Sequence, residues 1–170
     1  MNGKVFLALV VALAGLLLAP MVLAKGPPQK VTISGAGLAP QIELTGDQVT
    51  LEALGFMALE DYTTESPEAP EGISGDGYLI TRYFETSPGR YMAFDQARYY
   101  PDPAGGRGAI YYVGIFNGSS EYDHHWFRPN ADNEAVLSRV ITDTQQTQAL
   151  LREWFAHFIP PRLLLIKTEA

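Results

Sequence analysis

The chain contains no cysteine. That excludes a disulfide framework, a thiol nucleophile and a cysteine-ligated metal. Basic residues are scarce: 12 Lys and Arg stand against 19 Asp and Glu, a formal net charge of −7. Such a chain lacks the basic face that phosphate contacts need, so nucleic acid is not an expected partner. Histidine is limited to His124, His125 and His157. There is no G-x-S-x-G nucleophile elbow; Gly72-Ile73-Ser74-Gly75-Asp76 brings its second glycine one place early. Gly105-Gly106-Arg107-Gly108 lacks phosphate-loop spacing and precedes a strand pattern, so it reads as a hairpin turn. Nothing points to a cofactor. A hydrophobic content of 46% with 18% charged residues argues against intrinsic disorder.

A long apolar run occurs once, at the amino end. Lys4 precedes Val5 to Leu18, Pro20 interrupts, and Val22-Leu23-Ala24 presents short side chains before Lys25. This is the layout of a secretory signal peptide, residues 1–24, cleaved after Ala24. The competing reading is an uncleaved anchor, since Val5 to Ala24 is just long enough to span a bilayer; only then is a membrane a partner. Pro20 and the small residues favour cleavage. Residues 25–170 then form a single secreted α+β domain, acidic and self-sufficient in core. Export without cysteine fits a bacterial protein that works outside the cytoplasm: secreted, periplasmic or cell-surface. Asn117-Gly118-Ser119 matches a glycosylation acceptor, but in a bacterial chain it reads as a turn.

The periodicity gives an α+β fold. Val31-Thr32-Ile33 and Gln41-Ile42-Glu43-Leu44 alternate as a hairpin around Ser34-Gly35-Ala36-Gly37. Thr45-Gly46-Asp47 offers a cap for a short helix with Val49, Leu51, Leu54 and Met57 on its apolar face, limited by Gly55. Residues 60–76 carry six acids, no Lys or Arg, and Pro67 and Pro70. They read as a long, solvated acidic loop; the spacing is not that of a calcium loop. Residues 78–84, 90–100 and 109–115 read as a three-stranded antiparallel meander, with a short strand possible within 120–128. Two carboxyl-terminal helices follow. Asp132 caps the first; Thr142 and Gln145 form a capping box for the second. The second carries Leu150, Leu151, Trp154, Phe155, Phe158 and Ile159 as one stripe before Pro160-Pro161, and Leu163 to Ile166 form an edge strand or packed tail.

Two candidate sites emerge. Residues 78–127 contain eight of the nine tyrosines, with Phe84, Phe94, Phe116, Trp126 and Phe127. In a strand, neighbouring side chains point to opposite faces, so Tyr99-Tyr100 and Tyr111-Tyr112 must each split between faces. One face is therefore an aromatic candidate for gripping a protein, peptide or carbohydrate partner without chemistry. The candidate residues are Tyr83, Tyr99, Tyr100, Tyr111, Tyr112 and Arg98, with one tyrosine of each adjacent pair turned to that face. The alternative is a metal-dependent hydrolase centred on Asp123, His124 and His125, joined by Glu121 or His157; no ligand spacing supports it.

The opening Val31-Thr32-Ile33-Ser34-Gly35-Ala36-Gly37-Leu38, the segment Arg98-Tyr99-Tyr100-Pro101, and Glu121-Tyr122-Asp123 with Trp126-Phe127-Arg128 resemble a group of small secreted bacterial proteins of unknown function. The resemblance covers most of residues 25–170. It implies secretion and a similar single domain, and no activity or site residue.

Overall fold

The computed structural model describes residues 26–158. Seven strands form one antiparallel sheet: β1 Lys30–Gly35, β2 Leu38–Thr45, β3 Glu60–Ser66, β4 Tyr78–Ser87, β5 Arg90–Tyr100, β6 Ala109–Ile115 and β7 Trp126–Pro129. Their spatial order is β2-β1-β4-β5-β6-β7-β3. Three helices accompany it: α1 Gln48–Ala53, α2 Phe56–Leu59 and α3 Ala131–Phe158. The architecture is α+β. The expected signal segment, Ile159 and the expected strand or tail Leu163 to Ile166 lie outside the described residues.

The hairpin and meander form where alternation places them. Around the first turn Gly35, Ala36 and Gly37 all have positive φ. Gly35 also has no room for a side chain, because a Cβ there would lie 2.9 Å from the Gly77 carbonyl oxygen. From β4 onward the chain runs strand beside strand through β7. After β2 it crosses through α1 and α2 to the far edge, where β3 pairs with β7 alone.

β3 corrects the long-loop reading. Glu60–Ser66 is an edge strand whose first residue, Glu60, is buried. Only residues 67–77 remain a connection. Edge strands are often short and charged, which blocks pairing with foreign chains. A run of acids therefore suits an edge as well as a loop.

One helical face is also corrected. Asp47 caps α1 as expected, accepting from the Thr50 amide at 3.3 Å. Leu51 and Leu54 are buried, but Val49 within α1 is exposed, and so is Met57, which belongs to α2 because α1 ends at Ala53.

The two expected carboxyl-terminal helices are one. The Thr144 hydroxyl donates to the Val140 carbonyl at 2.8 Å and Thr147 to Asp143 at 2.9 Å. Those hydroxyls bond back within the helix, and the expected capping box, Thr142 and Gln145, lies inside it, with Gln145 turned to Tyr78 on the sheet. The true cap is Asn130, whose Oδ1 accepts from the amides of Asp132 at 3.1 Å and Asn133 at 3.4 Å. Asp132 instead sits in the first turn, where its charge favours the helix dipole.

The first half of α3 packs on the sheet through Leu137 and Ile141, beside Ile80, Tyr99 and Ile110 in the core. Gln145 donates to the Tyr78 hydroxyl at 3.1 Å, and the Tyr99 hydroxyl donates to Glu134 at 2.8 Å. Leu150, Leu151, Trp154 and Phe155 are about half exposed or more. Among the described residues no helix is long and apolar enough to cross a membrane.

Candidate functional site

The helices cover one face of the sheet, and the pleat decides which side chains they cover. Tyr99, Ala97 and Asp95 of β5, Ile110 and Tyr112 of β6 and Phe127 of β7 point inward and are buried. Arg98 and Tyr100, Tyr111, and Trp126 and Arg128 alternate with them and remain partly exposed on the other face. The expected split of both tyrosine pairs is therefore seen. It removes Tyr99 and Tyr112 from the candidate binding residues. They are 2% and 0% exposed. The Tyr99 hydroxyl bonds Glu134, and the Tyr112 hydroxyl donates to Asp95 at 3.1 Å. Burial raises both phenols well above the ordinary range, so they act as neutral donors.

The other four candidates share the open face, in two groups. Arg98 lies opposite Tyr111, and Tyr111 opposite Trp126. The Tyr111 and Trp126 rings are 5.0 Å apart at their centroids; Trp126 and Tyr100 are 5.5 Å apart. Such spacing suits tilted aromatic contact. The result is a continuous ledge of three rings. Arg98 donates to the Asp76 carbonyl at 2.6 Å, which fastens the 67–77 connection beside the ledge. Gly77 has φ +63°, and a Cβ on it would meet the Tyr100 ring at 3.0 Å. Tyr83 belongs elsewhere: it sits opposite Lys30, whose ammonium lies 5.4 Å from the ring centroid.

Sequence reasoning left Trp126 out of the site. The available signal was the period-two pattern through Phe127, which puts Trp126 in register with Tyr111. At the ledge's end, His124 Nδ1 is 3.1 Å from the Tyr111 hydroxyl. Next to Tyr100 a cavity of about 200 Å³ is lined by Glu71, Ile73, Asp102, Arg107 and Arg128 among others. Arg128 is held by the carbonyls of Arg107 and Gly108 at 2.9 and 3.0 Å. Arg107 pairs with Asp61 at 3.1 Å.

The alternative centre does not assemble as a metal site. His124 turns toward Tyr111, and His125 Nδ1 meets Glu65 at 2.5 Å. Asp123 accepts from the Ser120 amide at 3.0 Å and so closes its own turn. His157 is exposed in the last turn of α3. Among the described residues no group of three or more His, Asp or Glu side chains is placed to hold a metal ion.

A second polar cluster lies within the core, on the helix-covered face. Arg82 follows Tyr78 and Ile80 at inward positions of β4 and is 1% exposed. Its Nη2 donates to Glu60 at 2.6 Å, its Nη1 to Asp95 at 3.1 Å and its Nε to the Leu54 carbonyl at 2.7 Å. Desolvation outweighs the guanidinium at Glu60 and lifts that carboxyl to about 7, with Asp95 adding to the rise. At Arg82 desolvation works against the charge, yet the two carboxylates together prevail and raise its pKa. One cation thus serves two anions, and neither anion is fully compensated.

No protein-family model, curated protein or solved structure matches the chain.

Proposed function

We propose that the protein is an extracytoplasmic binding module that performs no chemistry and holds a carbohydrate on the open face of its sheet. The observation that supports this is the Tyr100–Trp126–Tyr111 ledge, three partly exposed rings in mutual contact on the face the helices leave uncovered. A sugar ring presents apolar C–H faces that stack on aromatic rings and hydroxyls that need polar partners. The ledge provides both kinds of group. Arg98 and His124 flank the rings, and the cavity beside Tyr100 contains two carboxylates and two guanidinium groups.

The signal-like amino-terminal run and the resemblance to secreted bacterial proteins support a module that works where extracellular glycans occur. The test is an oligosaccharide array probed with the wild-type chain and with the variant Tyr111→Ala/Trp126→Ala. Retention of selected glycans by the wild type alone supports the proposal. Binding that survives the double substitution, or selection of peptides and no glycan from matched libraries, rejects it.

A further inference from the structure

We propose that the Glu60–Arg82–Asp95 cluster is a binding site for one proton, carried on Glu60, and that loss of this proton loosens edge strand β3. Fully ionised, the cluster sums to one negative charge in the core. Its side chains are 0–1% exposed. Buried charge without compensation is expensive, and a protonatable group relieves it by taking up a proton.

The geometry also selects the residue. Asp95 Oδ2 accepts from both Arg82 and the Tyr112 hydroxyl. Glu60 receives one hydrogen bond from another side chain, Arg82 to Oε1, with its own backbone amide as a weaker donor. Glu60 Oε2 and Asp95 Oδ1 are both buried without a hydrogen-bond partner. With fewer donors holding its ionised form, Glu60 is the carboxylate on which the proton is retained. The rise of its pKa to about 7 agrees with this choice.

The surrounding elements supply no further charge to the cluster. Tyr62 of β3 donates to the Phe56 carbonyl at 2.9 Å and stays neutral. α2 contains no titratable side chain. Glu52 of α1 is bonded to Gln48 at the surface. Glu134 of α3 is occupied by Tyr99 and the Gly108 amide.

Glu60 begins β3, and that position makes the proton consequential. β3 has one neighbour, and its register with β7 breaks between Asp61 and Ser66. Tyr62 packs on Phe56, Tyr122 and Phe127, and Thr64 accepts from the Arg128 amide, but the charged ties of the strand are partly exposed: Asp61 to Arg107 and Glu65 to His125. Exposed pairs of this kind contribute little. When Glu60 ionises, the strain in the core is relieved most cheaply by letting this weakly paired strand open.

Two measurements on the full chain test the proposal. In carbon-13 NMR with carboxyl-labelled glutamate, the Glu60 signal is followed from about pH 4 to pH 9. Backbone correlation assigns it, so no variant is required. A midpoint at least two pH units above the 4.5 of an ordinary glutamate is expected. Hydrogen exchange of the β3 amides, corrected for intrinsic rate, is expected to rise about tenfold between pH 5.5 and 8.5 while β5 stays protected. Glu60→Gln, which keeps a neutral side chain at all pH values, removes that rise. A Glu60 midpoint near 4.5 overturns the proton site. A normal rise in β3 exchange across pH in Glu60→Gln overturns the coupling to the strand.

Discussion

Replacing Arg82 by Met removes the only cation that, among the described residues, contacts the two buried carboxylates. Methionine fills most of the arginine's volume, so the perturbation is chiefly electrostatic. Breaking a buried pair from one side costs about 3–5 kcal/mol, because a charge is left unpaired. Here two carboxylates lose their cation at once, Asp95 keeping only the Tyr112 hydroxyl, and the Leu54 carbonyl loses its 2.7 Å bond as well. A loss of about 4–5 kcal/mol at pH 7.5 follows, a large part of the total stability of a domain this size. With a urea slope of about 2 kcal/mol per molar, the midpoint falls by roughly 2 M. At about pH 4.5 Glu60, whose carboxyl burial raises to about 7, is protonated, so the loss shrinks to roughly half. The neutral triple variant Glu60→Gln/Arg82→Met/Asp95→Asn recovers much of the deficit at pH 7.5. Urea unfolding followed by near-ultraviolet circular dichroism at both pH values provides the readout. A loss below about 1 kcal/mol, equal at the two pH values, would refute the reasoning.

Three further outcomes follow from the same contacts. The folded state holds Glu60 near 7 against 4.5 in the unfolded chain, so it binds more protons across that window and its stability falls as pH rises through it. The contribution is about 3 kcal/mol, and Glu60→Gln, compared with the wild type, flattens that segment of the pH–stability curve. Asp47 and Asp61, lowered by hydrogen bonds from Thr50 and Thr63, slope the opposite way at lower pH and are common to both proteins. Gly77→Ala forces a Cβ against the Tyr99 carbonyl at 2.8 Å and demands φ +63° of alanine; thermal melts show it about 1–3 kcal/mol less stable. Leu137→Ala empties a fully buried site in the sheet–helix core and costs about 2–5 kcal/mol by the same melts.

The open aromatic face was legible in the sequence because alternation is a local property. Tyr99-Tyr100 and Tyr111-Tyr112 announce that one ring of each pair turns outward. They do not announce which one, since both members are the same residue type; the helices decide that by covering the face with Tyr99 and Tyr112. The Arg82 cluster was not legible. Glu60 sits in an acidic run that reads as solvated, and its partner is 22 residues away on another strand. One trace was present: Tyr78, Ile80 and Arg82 occupy successive inward positions of β4, and an arginine there requires an acid. The continuity of α3 was hidden for a different reason. Thr142 and Gln145, which resemble a capping box in sequence, lie inside the helix, and Gln145 reaches the Tyr78 hydroxyl on the sheet instead.

The central claim is that a carbohydrate binds on the Tyr100–Trp126–Tyr111 ledge. Its most direct test is nitrogen-15 NMR of the chain with each array-selected glycan, reading the Trp126 indole N–H against that of Trp154 on the exposed end of α3. The account predicts saturable shifts at the Trp126 indole and at the backbone of Tyr100 and Tyr111, with Trp154 unmoved. No selected glycan, or shifts that leave Trp126 and Tyr111 in place while another surface responds, would contradict it.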